Sequence, residues 1–403
     1  MSRSSISSFE ACEDLSRAAY FVRRSILFVL PLLTALAVLD APLWLTGDAW
    51  PAWLVVKRQQ SDVGQEVLYG RAFFSSQFNL YKRTAMARKR PRIVIIGSSR
   101  VMQLRAFMFA PLDESFFNAG GMISSGKELC SFAELLIKER LPKPEVLIVG
   151  IDPWWLKSAP QLTSSSRESI DITLNPVAQV VAMRSMLRSR DVWHALKRGP
   201  LTPYDGELGI GTLARLKGSG FRRDGSYQVT PSVVAFERCP PYEDRETPPV
   251  IERVRNCTHQ FSVPAAVDGK LTREIIEALM LLRTAGVEVY AFLPPFSSEV
   301  YRELENKPAL EEWWSYYSRY FPADLQQHHI SVVKACRASD MGLDDRFMLD
   351  GFHPSEVYMG HVVLAIVRQA PEGSVLKHVD LDCLSKRIEQ AYSPLVFDRP
   401  RPR

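Results

Sequence analysis

The residues best suited to catalysis stand late in the chain, where residues 350–354 read Asp-Gly-Phe-His-Pro. An aspartate three residues before a histidine can accept a hydrogen bond from the imidazole Nδ1–H, which fixes the tautomer. The Nε2 atom is then free to act as a base toward a hydroxyl group. Asp350 and His353 therefore predict the acid–base part of a catalytic triad. The alternative interpretation is a structural hydrogen bond within a loop.

Two earlier segments supply a hydroxyl and hydrogen-bond donors. Residues 97–100 read Gly-Ser-Ser-Arg and place Ser99 at the head of a helical turn, where developing negative charge is stabilised. Residues 118–121 read Asn-Ala-Gly-Gly, with Gly126 shortly after, and glycines let backbone N–H groups approach a substrate oxygen closely. Each segment alone also fits an ordinary helix cap or strand-to-helix turn. Together with Asp350 and His353, they predict an acyl-transfer site with a serine nucleophile.

A parallel sheet is the architecture that would bring these segments together. Short apolar runs predict buried strands, and intervening segments with helical apolar spacing predict crossover helices, which indicates an α/β fold with helices on both faces. The stretch 157–269 interrupts this rhythm and predicts a large insertion over the carboxyl edge of the sheet, where ligands bind. The predicted strands are 92–97, 115–118, 146–151, 287–293 and 330–333, and the predicted helices are 127–140, 271–283 and 356–369.

The N-terminal region shows the strongest break in composition. Residues 25–45 are apolar apart from Asp40 and are long enough, as a helix, to cross the ~30 Å hydrocarbon core. Arg23 and Arg24 precede this segment, and tryptophans resembling an aromatic belt stand at its exit side, at positions 44, 50 and 53. The pattern predicts a single-pass anchor in a bacterial inner membrane, with the bulk of the chain on the periplasmic or extracellular side. A cleaved signal peptide and a buried soluble helix are the alternatives.

These features divide the chain into a cytoplasmic segment 1–24, an anchor 25–45, a juxtamembrane connector 46–91, an α/β domain 92–375 and a tail 376–403. The formal net charge of +5 is too small to indicate nucleic acid as a partner, and the six scattered cysteines predict no metal site. No cofactor is expected. Cys239 and Cys257 are the best candidates for a disulfide. The cations of the connector predict a solvated face or a contact with anionic head groups or an acidic polymer: Lys82, Arg83, Arg88, Lys89 and Arg90.

The ordered blocks resemble the SGNH/GDSL hydrolase superfamily over about residues 90–370. The serine block, residues 97–100, follows the first strand, and the glycine block, residues 118–121, follows the second. A block at residues 150–153, where the family has G-x-N-D, follows the third strand. A D-x-x-H pair stands near the end, at residues 350–353. The resemblance implies a flavodoxin-like sheet with Ser99 as nucleophile and Asp350 and His353 as its partners. It also implies an oxyanion hole built from the N–H of Ser99 and that of Gly121 or Gly126.

The anchor, the G-S-S-R block and the D-G-F-H-P block together are similar to one branch of this superfamily. Its members are membrane-anchored exported proteins that work beside membrane-bound O-acyltransferases, in teichoic-acid D-alanylation and in alginate or cellulose O-acetylation. The similarity implies transfer or removal of acyl groups on a cell-envelope polysaccharide through an acyl-serine, with a membrane-bound O-acyltransferase as partner. A simple carbohydrate or lipid esterase and a non-catalytic glycan-binding partner are the alternatives.

One block departs from the family. Residues 150–153 read Gly-Ile-Asp-Pro, so Asp152 stands where the family has an oxyanion-hole asparagine, and an ionised carboxylate would repel the oxyanion. Asp152 is therefore expected to be protonated, turned away or outside the hole, with Asn118 or backbone amides as replacement donors; otherwise catalysis is weak. Trp154 and Trp155 follow directly and predict either a platform for stacking a sugar or packing beneath the insertion. Arg100, next to the nucleophile, is predicted to contact the substrate.

Overall fold

The computed structural model describes residues 6–61, 64–72, 78–157, 181–182, 184–186, 188–197, 208–229, 247–263, 266–391 and 393–397, without the side chains of 6–16, 32–33, 35–40 and 247–248. The strands are β1 Val67–Tyr69, β2 Ile93–Ile96, β3 Phe116–Asn118, β4 Val146–Gly150, β5 Leu208–Ile210, β6 Gly220–Phe221, β7 Tyr227–Gln228, β8 Glu288–Leu293 and β9 Ser331–Lys334. The helices are α1 Ile6–Thr46, α2 Ala52–Ser61, α3 Asn79–Lys89, α4 Gly126–Ile137, α5 Arg190–Lys197, α6 Thr212–Lys217, α7 Thr247–Arg255, α8 Gly269–Thr284, α9 Ser298–Glu305, α10 Glu311–Ser315, α11 Phe321–Gln327, α12 Glu356–Gln369 and α13 Leu381–Glu389.

The main sheet is parallel and has the strand order β3-β2-β4-β8-β9. Counted along the chain within this sheet, the order is 2-1-3-4-5, which is that of flavodoxin-like doubly wound sheets. The α/β prediction is confirmed, as are the five predicted strands and three predicted helices, within a few residues at their ends. The switch point lies between β2 and β4, at the carboxyl end of β2, where the serine block begins.

Alternate residues of the strands pack into two separate cores. Val94 and Ile96 of β2 join the cluster that contains the apolar faces of α4 and α8. Ile93 and Ile95 face the other way and join the cluster that contains α12. Because successive side chains of a strand point to opposite faces, a continuous apolar run such as Ile-Val-Ile-Ile needs helices on both sides. The loops at the strand ends therefore rest on a doubly covered, rigid sheet.

A second, mixed sheet joins two regions that the sequence suggested were separate. Its strand order is β5-β1-β6-β7, so β1 from the predicted connector 46–91 lies between strands of the predicted insertion 157–269. Asp48 helps to hold them together, because its carboxylate accepts hydrogen bonds from the Thr212 N–H at 2.9 Å and the Ala72 N–H at 2.8 Å. Treating 46–91 as a connector was wrong, since this segment is an integral part of the fold.

This second unit covers the β3 edge of the main sheet and reaches the serine block. The Asn118 N–H at the end of β3 donates to the Asp224 carbonyl at 2.7 Å. The Tyr227 N–H donates to the Met102 carbonyl at 3.0 Å, three residues after Ser99. Residues 224–227 of this unit therefore lie close to the carboxyl ends of β2 and β3.

Lys82 of α3 lies inside this junction and is fully buried. Its Nζ donates to the Asn118 carbonyl at 2.8 Å and to the Gly225 carbonyl, and it lies 4.4 Å from the centre of the Phe221 ring. The solvated face predicted for the connector cations is therefore wrong for Lys82. Burial lowers its pKa to about 7, although the nearby Asp224 carboxylate acts in the opposite direction.

Lys82 is expected to make the stability of the protein depend on pH. Its pKa is about 7 when folded, against 10.5 as the ordinary value, so between these pH values the unfolded chain binds the proton more tightly. The free energy of unfolding should therefore rise from pH 7 toward pH 10, by on the order of 1 kcal/mol per pH unit from this group. Urea titrations between pH 7 and pH 10 give the free energy of unfolding of the wild type and of Lys82→Met. The contribution of Lys82 is the difference between the slopes of these free energies against pH. Identical slopes would contradict it.

The predicted anchor 25–45 forms part of the long helix α1, and the side chains of 32–33 and 35–40 lie outside the described residues. Among the side chains that are described, several large apolar ones are exposed, including Ile26, Leu27 and Phe28. Over the described residues, no helix reaches the length and apolar character needed to cross a membrane. The membrane span therefore stays a prediction.

The C-terminal region 376–403 is more than a tail. Helix α13 packs against α12, and Leu395 is fully buried, with its carbonyl accepting the Glu356 N–H at 3.0 Å. This contact fixes the start of α12, directly after the segment that carries Asp350 and His353. Cys257 has a free thiol, and its predicted partner Cys239 lies outside the described residues.

Candidate active site

The serine block forms a tight turn at the carboxyl end of β2. Gly97 is required there, since a Cβ atom at this position would lie 2.7 Å from Val101 Cγ1 and 3.0 Å from the Gly150 carbonyl oxygen. Ser98 is buried and caps the turn, with its hydroxyl accepting the Arg100 N–H at 3.3 Å. Ser99 begins the 3₁₀ turn and is exposed. Of the two serines, only Ser99 presents its hydroxyl to solvent.

The structure brings Ser99, His353 and Asp350 into one hydrogen-bonded chain. Ser99 Oγ lies 3.0 Å from His353 Nε2, and His353 Nδ1 lies 2.8 Å from Asp350 Oδ2. The imidazole is one-third exposed, so a substrate can reach the serine–histidine pair. This is the arrangement of nucleophile, base and orienting carboxylate that serine acyl transfer requires.

Backbone hydrogen bonds hold the orienting carboxylate in place. Asp350 Oδ1 accepts the N–H groups of Phe352 and His353, both at 2.6 Å, so Oδ2 is left to face the imidazole. Burial raises the pKa of Asp350, but the charge of His353 and these hydrogen bonds outweigh it and hold the pKa below its usual value. Asp350 is therefore a carboxylate at neutral pH, and in this position it can stabilise a protonated imidazole.

Two of the predicted oxyanion donors are engaged elsewhere. The Gly121 N–H donates to the Gly97 carbonyl at 2.7 Å, so it is not available to a substrate. Asn118 is fully buried, and its amide nitrogen donates to the carbonyls of Val101 at 2.8 Å and Leu104 at 2.9 Å. Assigning Gly121 and Asn118 to the oxyanion hole was therefore wrong. Both residues instead brace the serine turn against β3.

Gly126 is the predicted glycine that keeps a free donor. It is the first residue of α4, and the first N–H groups of a helix have no acceptor within it. Within the described part of the chain, neither the Gly126 N–H nor the Ser99 N–H is bonded to a carbonyl or side chain. A Cβ at Gly126 would lie 2.9 Å from the Trp155 carbonyl, so glycine is needed for this close approach.

Asp152 faces Arg100 and is not an oxyanion donor. Arg100 Nη1 lies 2.9 Å from Asp152 Oδ1, and both side chains are fully buried. Burial raises the pKa of Asp152 above its usual value, although the neighbouring guanidinium of Arg100 acts in the opposite direction. The prediction that Arg100 contacts substrate is wrong, because the structure encloses its guanidinium within protein. Placing Asp152 in the oxyanion hole is corrected for the same reason.

The two tryptophans differ in their surroundings. Trp155 is fully buried in the core, so its prediction as a sugar platform is wrong. Trp154 is half-buried and stacks on Phe352, with ring centres 5.4 Å apart and planes 8° from parallel. Phe352 precedes His353 in the segment 350–354, which we call the histidine loop. The partly exposed ring of Trp154 therefore lies beside this loop. Trp154 alone remains a candidate for contact with a substrate.

Sequence reasoning missed the groups that hold this edge of the sheet together. Trp313 Nε1 donates to the Pro153 carbonyl at 2.8 Å, and the Tyr317 hydroxyl donates to the Ile151 carbonyl at 2.8 Å. Tyr317 lies in a short π-helix, Tyr316–Tyr320, a distortion that is frequent at functional sites. The sequence signal that could have found them is the cluster of aromatic residues Trp313, Trp314, Tyr316 and Tyr317.

Comparisons with known proteins add no relative. A scan against protein-family models and searches of curated proteins and solved structures found no match. Among the described residues, no group of three or more His, Cys, Asp or Glu side chains is arranged to hold a metal ion. The functional argument therefore rests on the residues of this chain and their geometry.

Proposed function

We propose that this protein is a serine acyltransferase, anchored in a bacterial inner membrane and exported. It transfers acyl groups, for example acetyl, to or from a cell-envelope polysaccharide. The observation that carries the proposal is the hydrogen-bonded chain from Ser99 Oγ through His353 to Asp350. The resemblance of the ordered sequence blocks to SGNH hydrolases, and to the anchored branch that works beside membrane-bound O-acyltransferases, supports it further.

In the first half-reaction, His353 Nε2 takes the proton of the Ser99 hydroxyl as Oγ attacks the carbonyl carbon of the acyl donor. The C=O bond opens to an oxyanion, and the imidazolium is stabilised by the Asp350 carboxylate 2.8 Å away. When the oxyanion collapses, the bond to the leaving oxygen breaks and that oxygen receives the proton from Nε2. The product is an acyl ester on Ser99, with His353 neutral again.

In the second half-reaction, a hydroxyl of the acceptor sugar loses its proton to His353 Nε2 and attacks the acyl-serine carbonyl. Ser99 Oγ leaves and takes the proton back, which restores the enzyme and releases the acylated sugar. The N–H groups of Ser99 and Gly126 are the proposed oxyanion donors in both halves. Because Arg100 compensates the charge of Asp152, that charge is no barrier to the oxyanion.

An esterase is the second candidate, and the exposure of Ser99 favours it. Water can reach an acyl-serine that is open to solvent, and it competes with the sugar for the acyl group. A bound acceptor has the advantage of position, since effective molarities in well-oriented reactions reach roughly 10⁵ M. The two functions therefore differ in where the acyl group goes.

The test supplies p-nitrophenyl acetate to the full-length protein in lipid nanodiscs, with and without a mixture of oligosaccharides. A transferase should release p-nitrophenol slowly alone and at least about tenfold faster with an acceptor, because the bound sugar outcompetes water. Mass spectrometry should find the acetyl group on the sugar. Ser99→Ala serves as the control and should show neither effect. Rapid hydrolysis without any acetylated sugar would favour the esterase instead.

A further inference from the structure

Arg100 is the residue next to the proposed nucleophile, and its side chain is completely buried. All three of its guanidinium nitrogens donate hydrogen bonds to protein oxygens. Nε donates to the Phe352 carbonyl at 3.0 Å, and Nη1 to Asp152 Oδ1 at 2.9 Å. Nη2 donates to the Pro294 carbonyl at 2.9 Å and to the Pro295 carbonyl. The acceptors come from three segments, at the ends of β4 and β8 and in the histidine loop.

Aromatic rings enclose the same guanidinium. Its central carbon lies 4.0 Å from the ring centre of Phe296, 4.9 Å from that of Phe352 and 5.7 Å from that of Trp154. A planar guanidinium can stack on such rings while its N–H groups donate in the plane, and a lysine ammonium cannot do both. The site is therefore built for arginine specifically.

We infer that Arg100 and Asp152 act together as a positioning device, which holds the histidine loop at the correct distance from the serine turn. Arg100 is covalently adjacent to Ser99, and the carbonyl it binds belongs to Phe352, which is covalently adjacent to His353. One rigid side chain thus fixes both partners of the 3.0 Å contact between Ser99 Oγ and His353 Nε2. Asp152 compensates the buried charge and aligns the guanidinium. This inference deepens the proposed function and rests on it.

The inference gives a reason for the departure at position 152. An aspartate there is unsuited to an oxyanion hole, but it is the partner that a buried Arg100 requires, since an unpaired buried charge is strongly destabilising. The arginine of the G-S-S-R block and the aspartate after β4 are then one unit. Neither residue contacts the substrate, so both are positioning residues.

The experiment compares Arg100→Lys with Arg105→Lys in the full-length protein. Arg105 is a matched control, because it is equally buried and pairs with a buried carboxylate, that of Glu356. Its hydrogen bonds do not involve the histidine loop. Three quantities are measured for each variant: melting temperature, the rate of Ser99 acylation by a fluorophosphonate probe, and the downfield NMR resonance of the His353 Nδ1–H.

Both variants should lose thermal stability, but only Arg100→Lys should lose chemistry. We expect its acylation rate to fall about 10²-fold, the cost of a misplacement of about 1 Å, and its Nδ1–H resonance to shift or broaden. Arg105→Lys should stay within about threefold of the wild-type rate and keep the resonance. If Arg100→Lys retains both the rate and the resonance, the positioning role is refuted while the serine mechanism still stands.

A second variant covers the case in which Arg100→Lys does not fold. Asp152→Asn keeps the shape of the site and the arginine, and it removes the carboxylate charge that aligns the guanidinium. We expect about a tenfold slower acylation and a shifted Nδ1–H resonance; an unchanged rate and resonance would overturn the inference. If the wild type is not acylated at all, the serine mechanism fails, and the resonance alone then decides whether Arg100 and Asp152 hold the histidine loop.

Discussion

Replacing Ser99 with alanine is expected to abolish covalent labelling by a fluorophosphonate probe and to lower ester turnover by roughly 10⁴-fold or more. Without Oγ no acyl-serine can form, and the remaining oxyanion donors and binding contacts supply only the residual rate. His353 keeps its hydrogen bond to Asp350, because that contact does not involve Ser99. The fold should therefore survive the substitution unchanged.

Ser98 is the matched control for this experiment. It is the same residue type one position earlier, but it is buried and its hydroxyl accepts the Arg100 N–H. Ser98→Ala should lose about 1 kcal/mol of stability from the missing hydrogen bond and should still be labelled by the probe. Peptide mapping of the labelled wild type should place the adduct on Ser99. An adduct on Ser98, or undiminished labelling of Ser99→Ala, would contradict the assignment.

The main sheet could be predicted because its signals are local. The runs Ile-Val-Ile-Ile of β2 and Val-Leu-Ile-Val of β4 are continuous in the sequence, and each is buried on both faces. Helix α12 matches its prediction at both ends, since Ser355 caps its start and its apolar spacing is regular. Patterns carried by consecutive residues can be identified from the sequence alone.

The second sheet could not be predicted for the opposite reason. Strand β1 has three residues, and its partners in β5 and β6 lie about 140–150 positions later in the chain. Strand pairings between such distant segments leave no periodic signal in either segment. The region 46–91 was therefore predicted to be a connector. The burial of Lys82 could not be predicted for the same reason, because its acceptor Gly225 is 143 residues away in the chain.

In the candidate site, too, contacts between residues close in the sequence could be predicted, and contacts between distant residues could not. Asp350 and His353 are three residues apart, and their hydrogen bond could be expected from that spacing. Which glycine offers a free N–H depends on backbone pairing, and the bond from Gly121 to Gly97 is invisible in the sequence. Arg100 was predicted to contact the substrate from its position next to Ser99, but its side chain is fully buried. Its partner Asp152 is 52 residues away, at the end of the neighbouring strand.

The substitution Asp350→Asn is expected to lower the rate of acyl-serine formation by about 10³- to 10⁴-fold without unfolding the protein. Asp350 Oδ1 accepts two backbone N–H groups, so the carbonyl oxygen of an asparagine must occupy that position, because an amide nitrogen cannot accept a hydrogen bond. The NH₂ group then faces His353 Nδ1. The imidazole must respond by moving its proton to Nε2, where it points at Ser99 and can no longer accept the proton of the hydroxyl.

The measurement is the rate of acylation by the fluorophosphonate probe, with melting temperature recorded on the same samples. Asp345→Asn is the control, because Asp345 is also half-buried and its carboxylate accepts the Ser298 N–H at 2.9 Å and 3.0 Å, five residues before Asp350. Both substitutions remove one charge from nearby positions, so both should cost similar stability. Only Asp350→Asn reverses the direction of the hydrogen bond at His353 Nδ1, because the amide donates where the carboxylate accepted. A rate for Asp350→Asn within tenfold of wild type would show that the tautomer of His353 is not set by this carboxylate.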